Sequence, residues 1–259
     1  MAMLAVEEPI NLRSDNVAGV APEILAAIEA ANAGTAPSYG ADPITARLQD
    51  SFSELFETRC FVQPVATGTA TNALALALIA PPYGAIYCTD VGHVHDSECG
   101  AGEFYTGGAK IVPLAQEHGR LRPETLRAAL QRAGIGHTGR VQPAALNLTQ
   151  ATERGTVYRL DELDELIGIA RDYGLRVHMD GARFANAIAA LGCRPADASW
   201  RRGGRRALLR RHQERRHGRR GGRGVQGGAR RAAALSRAPR RSGVLQDALH
   251  LGAARSLPP

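Results

Sequence analysis

Asp180 and Arg183 are the residues of this chain whose types and spacing most directly suggest chemistry. They stand in Asp180-Gly181-Ala182-Arg183, between an apolar run that predicts a buried strand, Leu175–Met179, and a helical pattern over Phe184–Leu191. A carboxylate and a guanidinium therefore lie at the C-terminal edge of a strand, where open α/β sheets bind ligands. Asp180 can pair with a protonated ring nitrogen, and Arg183 can hold a carboxylate through two parallel hydrogen bonds. Pyridoxal phosphate chemistry on an amino acid needs such a pair, although four residues alone fit an ordinary Asp–Arg contact better.

Two further polar segments follow predicted strands. In Thr67–Asn72, small residues let backbone N–H groups approach a phosphate at a helix N-terminus, and the alternative is a routine helix cap by Thr67 or Thr69. In Val91–Gly100, which contains His93 and His95, a histidine can stack on an aromatic cofactor or relay a proton. That segment is also compatible with a polar surface loop, and its ligand spacing is not diagnostic of a metal site, so we expect no metal.

Strands and helices alternate along the first 200 residues. Strands are predicted at Cys60–Val65, Ala85–Thr89, Ile111–Leu114, Ala145–Leu148 and the run ending at Asp180, and helices at Pro22–Ala33, Ile44–Glu57, Thr69–Ala80, Pro123–Gln131 and Leu160–Asp172. This order predicts an α/β fold with a mainly parallel sheet covered by helices on both faces.

The composition changes abruptly after Trp200. Residues 201–259 contain 17 Arg, no Lys and two acids, a net charge of +15, whereas residues 1–200 contain 15 basic and 23 acidic residues, a net charge of −8. We therefore predict a globular domain over 1–200 and a basic tail over 201–259 that is disordered or non-native.

Four cysteines, Cys60, Cys88, Cys99 and Cys193, have no paired or metal-binding spacing, so we expect core residues or free thiols. No signal peptide and no apolar run of about 20 residues is found. We expect a cytoplasmic protein with no membrane partner.

Taken together, the polar segments form an ordered set. The motifs, in chain order, are Ser14-Asp15-Asn16, Tyr39-Gly40-Ala41-Asp42, Gly68-Thr69-Ala70-Thr71-Asn72, Gly92-His93, Glu98-Cys99-Gly100-Ala101, Thr149–Glu153 with Gly155–Tyr158, and His178–Ala187. This order resembles the threonine aldolase family, most closely its bacterial low-specificity group. The resemblance covers nearly all of residues 11–200 and implies a fold type I, pyridoxal 5′-phosphate-binding large domain.

The resemblance also implies roles for individual residues around the cofactor. Gly68 and Thr69 would hold its phosphate, with Asn72 close by. His93 would stack on the pyridine ring and assist proton transfer, and Asp180 would keep the ring nitrogen protonated.

Around the substrate, the resemblance assigns Arg183 and Ser14 to the amino acid's carboxylate. Tyr39 would reach into the site of a neighbouring subunit, which implies a homo-oligomer, a dimer or a tetramer. Glu98 and Thr149 would support the residues in contact with ligand.

The implied reaction is cleavage of L-threonine, L-allo-threonine and related β-hydroxy-α-amino acids to glycine and an aldehyde, and β-elimination by a related lyase is the alternative.

The lysine that holds the cofactor in this family is missing, since Lys110 is the only lysine of the chain. The family carries that lysine in a segment resembling Val-Asp-Ala-Leu-Ser-Phe-Gly-Ala-Thr-Lys-Asn-Gly, whereas this chain has Gly204–Arg216. When GC-rich codons are taken for these residues and the reading frame is moved forward by one base, the codons can encode the whole family segment. The lysine codon then straddles Gln213 and Glu214. Gln246–His250 likewise permits a later family segment, Lys-Met-Arg-Phe-Ile.

We therefore interpret the chain from about Arg202 onward as a frame-shifted translation that replaces the rest of the large domain and the small domain. Lys110 precedes a strand and is expected to be a solvated surface residue, so this chain is predicted to have very low turnover. The basic tail suggests nucleic-acid binding as another class of function. Because the tail has no aromatic residue and no recognisable motif, we expect nonspecific binding at most.

Overall fold

The computed structural model describes residues 19–202 and the backbone of the segments 207–211 and 243–247. These residues belong to two compact units, of which one includes residues 19–35 and the other includes everything described from Ala36 onward. The first unit contributes one described helix, α1 (Pro22–Ala31), which begins with proline at its first position. All the strands and the remaining helices belong to the second unit.

A parallel sheet forms the centre of the second unit. Its described strands are β1 (Cys60–Pro64), β2 (Gly84–Thr89), β3 (Lys110–Leu114), β6 (Gln142–Thr149), β7 (Arg176–Asp180), β8 (Ala207–Arg211) and β9 (Gly243–Asp247), and a small antiparallel hairpin is made by β4 (Gln116–Glu117) and β5 (Arg120–Leu121). The strand order across the sheet is β1-β9-β8-β7-β6-β2-β3, and every pair in it is parallel. Strand β7 therefore lies in the middle of the sheet.

Helices connect these strands as an α/β sheet requires. They are α2 (Pro43–Leu55), α3 (Gly68–Ile79), α4 (His93–Asp96), α5 (Ala101–Thr106), α6 (Pro123–Gln131), α7 (Leu160–Asp172) and α8 (Phe184–Leu191). The helix α2 shows why the sequence folds this way locally. Asp42 caps it by accepting hydrogen bonds from the amides of Ile44 and Thr45, and its apolar side buries Leu48 and Phe52.

For residues 19–200, which the structure describes, the sequence-based expectations are confirmed in class and largely in extent. Helices α6, α7 and α8 have the predicted bounds, and the other predicted elements differ from the observed ones by three residues or fewer at either end. The α/β fold with a mainly parallel sheet is confirmed. The short helices α4 and α5 and the hairpin β4–β5 were not predicted, because four- and six-residue helices and two-residue strands are too short to show a periodic pattern.

Two short segments of the tail are described. Ala207–Arg211 and Gly243–Asp247 are parallel strands inside the sheet, and a disordered or non-native tail stays a prediction. Each contains a short apolar run, and main-chain hydrogen bonding to a neighbouring strand requires only about five residues. The remaining residues from 203 onward lie outside the described part of the chain, so a domain boundary near residue 200 stays a prediction.

Side-chain contacts anchor the residues around Trp200, where the composition of the chain changes. The indole nitrogen of Trp200 donates a hydrogen bond of 2.6 Å to the Phe56 carbonyl. Arg201 forms ion pairs with Glu57 at 2.6 Å and Asp197 at 3.0 Å. Arg194 and Arg201 hold the pKa of Asp197 down at about 2. These contacts tie residues just before the tail to the end of α2.

The four cysteines are free, as expected. Burial raises the pKa of the Cys60 thiol to about 11 and that of Cys88 to about 12, so neither is a reactive thiolate at neutral pH. Among the described residues, no helix is both long and apolar enough to cross a bilayer.

Candidate active site

The C-terminal edge of the sheet gathers the polar residues that the sequence singled out. Strand β7 ends at Asp180, and its neighbour β6 ends at Thr149, which is the register partner of Asp180. Both side chains are buried. The segments that follow β2 and β6, and the start of α3, come to the same edge because all these strands run parallel.

Asp180 is held on both carboxylate oxygens. Its side chain is 1% exposed. Oδ1 accepts a hydrogen bond of 2.9 Å from the amide of Ala182, and Oδ2 accepts one of 3.1 Å from the side-chain nitrogen of Asn72. The Asp180 carbonyl also accepts from the amide of Gln150 at 2.9 Å. The carboxylate is therefore fixed in one orientation before any ligand binds.

Asn72 joins Asp180 to a second acid. It lies in the second turn of α3 with no exposed surface, and its Nδ2 also donates to Glu98 Oε1 at 2.7 Å. One amide nitrogen thus supplies its two hydrogens to two buried carboxylates. The other amide atom, Oδ1, is buried and accepts no hydrogen bond from the described residues. The structure thus places the Asn72 amide between the two acids, and its proximity to a cofactor phosphate, which the resemblance implies, stays a prediction.

Glu98 in turn orients His93. The Nδ1 atom of His93 lies 2.8 Å from Glu98 Oε1, and Glu98 is 3% exposed. An ionised carboxylate only accepts hydrogen bonds, so Nδ1 of His93 is the donor towards such a carboxylate. The hydrogen bond holds the half-exposed imidazole in orientation.

Glu153 extends the group to strand β6. Its Oε1 accepts a hydrogen bond of 2.8 Å from the Thr149 hydroxyl and one of 3.1 Å from the backbone amide of His93. A continuous chain of hydrogen bonds therefore runs through six residues, in the order Thr149, Glu153, His93, Glu98, Asn72, Asp180. We call these residues the edge network.

Arg183 and the start of α3 lie beside the edge network. Arg183 precedes α8, is half-buried, and reaches the Ala151 carbonyl with NH1 at 3.4 Å, so the loop after β6 also touches the guanidinium. Thr67 caps α3 by accepting from the amide of Ala70 at 3.1 Å, which confirms the cap. Gly68 and Thr69 form the first turn, where backbone N–H groups have no partner within the helix.

Among the described residues, Tyr39 and Lys110 are not part of this network. Tyr39 is 89% exposed, in a turn where its own φ is +64°. Ser14 lies outside the described residues. Lys110 is the first residue of β3 and is exposed. It is the register partner of Ala85, near the start of β2. At about 3.3 Å per residue, this places it roughly 15–20 Å along the strands from the level of Asp180. No group of three or more potential metal ligands occurs in the parts of the chain that the structure describes.

The sequence missed one member of the network. Thr149–Glu153 was recognised as a polar segment, but Glu153 received no role. A usable signal was present, because a Glu that closely follows a strand end falls at the same edge as the histidine after the neighbouring strand. That signal is weak, because the sequence does not show how the loop after β6 folds back.

Comparison with known proteins decides the family. A model of the family described as "Beta-eliminating lyase" matches residues 11–199. The chain belongs to the beta-eliminating lyase family. Its resemblance to threonine aldolases, first seen in the motifs, is likewise confirmed.

Two relatives and one solved structure show how far the similarity extends. The low specificity L-threonine aldolase of Pseudomonas aeruginosa is 47% identical over 191 residues, covering 73% of this chain and 54% of that protein. The enzyme of the same name from Saccharomyces cerevisiae is 31% identical over 187 residues, covering 70% of this chain and 46% of that protein. The Leishmania major threonine aldolase structure matches with a TM-score of 0.63 and 29% identity over 71% of this chain and 53% of its own. This chain thus spans about half the length of the relatives it matches.

Proposed function

We propose that this chain forms the cofactor-binding part of a pyridoxal 5′-phosphate-dependent aldolase. The reaction class is cleavage of L-threonine, L-allo-threonine and related β-hydroxy-α-amino acids to glycine and an aldehyde. The observation that carries this proposal is the edge network, in which Asp180 and His93 are joined through Asn72 and Glu98. The names of the relatives support the same reaction.

The residues present fit the cofactor. Asp180 offers a fixed acceptor to a ring N–H, and the unused buried oxygen of Asn72 offers a second acceptor to an O–H group of the ligand. The first turn of α3, at Gly68 and Thr69, offers N–H donors to a phosphate. When bound, the cofactor supplies a protonated ring that draws electrons from the bond being broken.

The remaining roles follow from what each side chain can do. Asp180 holds the ring proton in place, and His93, oriented through Nδ1 by Glu98, exchanges a proton with the ligand. Arg183 binds the amino acid's carboxylate. Its described hydrogen bond to the Ala151 carbonyl is long, so other N–H groups of the guanidinium remain for a ligand. Ser14 stays assigned to the same carboxylate as a prediction.

A second class of reaction has one observation in its favour. The family's own description names β-elimination. Binding of the substrate carboxylate by Arg183 and of the ring nitrogen by Asp180 suits an aldolase and a β-eliminating lyase equally. The distinction depends on what happens to the β-hydroxyl group, which only an aldolase must bind and deprotonate.

We further propose that the protein acts in the cytoplasm as a homo-oligomer. The exposure of Tyr39 supports this proposal, because a large aromatic side chain held on a left-handed turn is available to a neighbouring subunit. Separating the purified chain by size, with Tyr39→Ala beside the wild type, tests whether that side chain contributes to assembly.

Binding of a stable cofactor–amino acid adduct tests the proposed function without requiring turnover. We expect N-(5′-phosphopyridoxyl)glycine to bind the chain, as measured by calorimetry, and Asp180→Ala to weaken the affinity about 30-fold or more, because a buried charged partner is removed. Asp50→Ala, at an exposed acid on α2, is the control and should bind as the wild type does.

The folded state of the variants is checked by thermal unfolding, and Asp180→Asn, which keeps the size of the side chain, is the second variant. No binding by the wild type, or equal binding by the wild type and both Asp180 variants, would refute the proposed function.

A further inference from the structure

Glu153 has a charge and a position that the proposed roles leave unused. Its Oε1 already accepts two hydrogen bonds, from Thr149 and from the backbone of His93. Its Oε2 is shielded from solvent and accepts none from the described residues. An acceptor-only oxygen is therefore held next to the histidine of the edge network.

Burial alone does not single out this oxygen. Glu103, on α5, also has a shielded Oε2 without a hydrogen bond from the described residues. Glu103 makes no side-chain hydrogen bond to any member of the edge network, whereas Glu153 contacts two of them. Position at the network therefore distinguishes Glu153, and Glu103 is a natural control.

Hydrogen bonds within the loop that carries Glu153 hold the loop in one conformation. The Gln150 side chain both donates to the Tyr158 carbonyl and accepts from the Tyr158 amide, each at 3.0 Å. Thr152 and Thr156 pair through a backbone hydrogen bond of 2.9 Å and between their hydroxyls at 2.8 Å. Glu153 lies inside the loop that both pairs of residues close, so its carboxylate is positioned before a ligand arrives.

We propose that Glu153 binds the β-hydroxyl group of the amino acid through Oε2 and determines the preference for β-hydroxy-α-amino acids. This inference rests on the proposed function and names the specificity residue of the same site. A carboxylate oxygen only accepts, and the β-hydroxyl is the O–H donor that this substrate class adds to glycine. A buried acceptor discriminates strongly against ligands that lack the matching donor.

Three reduced adducts serve as probes: N-(5′-phosphopyridoxyl) derivatives of glycine, L-threonine and O-methyl-L-threonine. The methoxy group of the third keeps the oxygen but has no hydrogen to donate. We expect the wild type to bind the threonine adduct at least about tenfold more tightly than the O-methyl adduct. The glycine adduct reports binding that does not depend on the hydroxyl.

Glu153→Gln is the decisive variant, because it keeps an oxygen for Thr149 and His93 and replaces Oε2 by a donor. An amide N–H donates to a methoxy oxygen as well as to a hydroxyl, so the preference for threonine should fall at least about tenfold while the glycine adduct binds as before. Glu103→Gln should keep the wild-type preference.

An unchanged preference in Glu153→Gln, with normal binding of the glycine adduct, would overturn the role of Glu153 and leave the proposed function standing. Failure of the wild type to bind the glycine adduct would overturn both. If Glu153→Gln does not fold, Glu153→Asp replaces it. That variant keeps a carboxylate on a shorter side chain and must still prefer the hydroxyl to the methoxy group, and loss of that order would also overturn the role.

Discussion

Asp180 illustrates how a single residue acquires a function from its surroundings. An Asp next to an Arg is ordinary in sequence, but here the carboxylate ends a central strand, is 1% exposed, and is oriented by Ala182 and Asn72. A buried carboxylate so constrained is suited to a cationic ring nitrogen, because a charged acceptor in a low-dielectric site binds a charged donor strongly.

Asn72 is the residue whose loss should destabilise the edge network most. It separates the carboxylates of Asp180 and Glu98 while donating to both. Asn72→Leu removes both hydrogen bonds and leaves two buried acids facing an apolar side chain. We expect the free energy of unfolding to fall by about 3 kcal/mol.

Urea unfolding of purified protein measures that change, with Asn186→Leu on the exposed side of α8 as the control, expected within about 0.5 kcal/mol of the wild type. Equal stability of the two variants would show that Asn72 does not hold the acids together.

At the scale of elements, the sequence predicts most of the framework. Apolar runs and helical periodicity locate β1, β2, β3, β6 and β7 with the helices between them, because each buries one face or both faces in the sheet. They also place Asp180, His93 and Gly68 after strands, which brings all three to one edge.

The contacts within that edge could not be predicted in the same way. Asn72 lies one turn into α3, and only the packing of α3 against the sheet turns its amide towards Asp180. Glu153 approaches His93 because the loop after β6 folds back through Gln150 and Tyr158, residues 8 positions apart in the chain. Local patterns carry no information on either geometry.

At the scale of the whole molecule, the tail raises the question of the missing lysine. Strand β8 is parallel to β7, and Arg210 is level with Asp180, so β8 ends at the same edge as the candidate site. Gln213 and Glu214, whose codons would overlap the lysine codon of the shifted frame, follow Arg211 closely in sequence. That the tail is a frame-shifted translation stays a proposal.

Borohydride reduction in the presence of pyridoxal 5′-phosphate checks the consequence. We expect no stable attachment to Lys110, which lies far from Asp180, and the same result for Lys110→Arg. A chain whose coding sequence is advanced by one base near the Trp200 codon should instead be labelled on its new lysine and should cleave threonine, allo-threonine and phenylserine. Labelling of Lys110 would contradict the proposal, as would an unlabelled, inactive frame-restored chain.

The protonation state of the bound ring is the most direct test of the account. The measurement is nitrogen NMR of N-(5′-phosphopyridoxyl)glycine labelled with ¹⁵N in the ring, titrated with pH while bound to the wild type and to Asp180→Asn. We predict that the wild type keeps the ring nitrogen protonated to a higher pH than the free adduct, and that the variant does not. A bound ring that loses its proton at the same pH as the free adduct, in the wild type, would contradict the central role of Asp180.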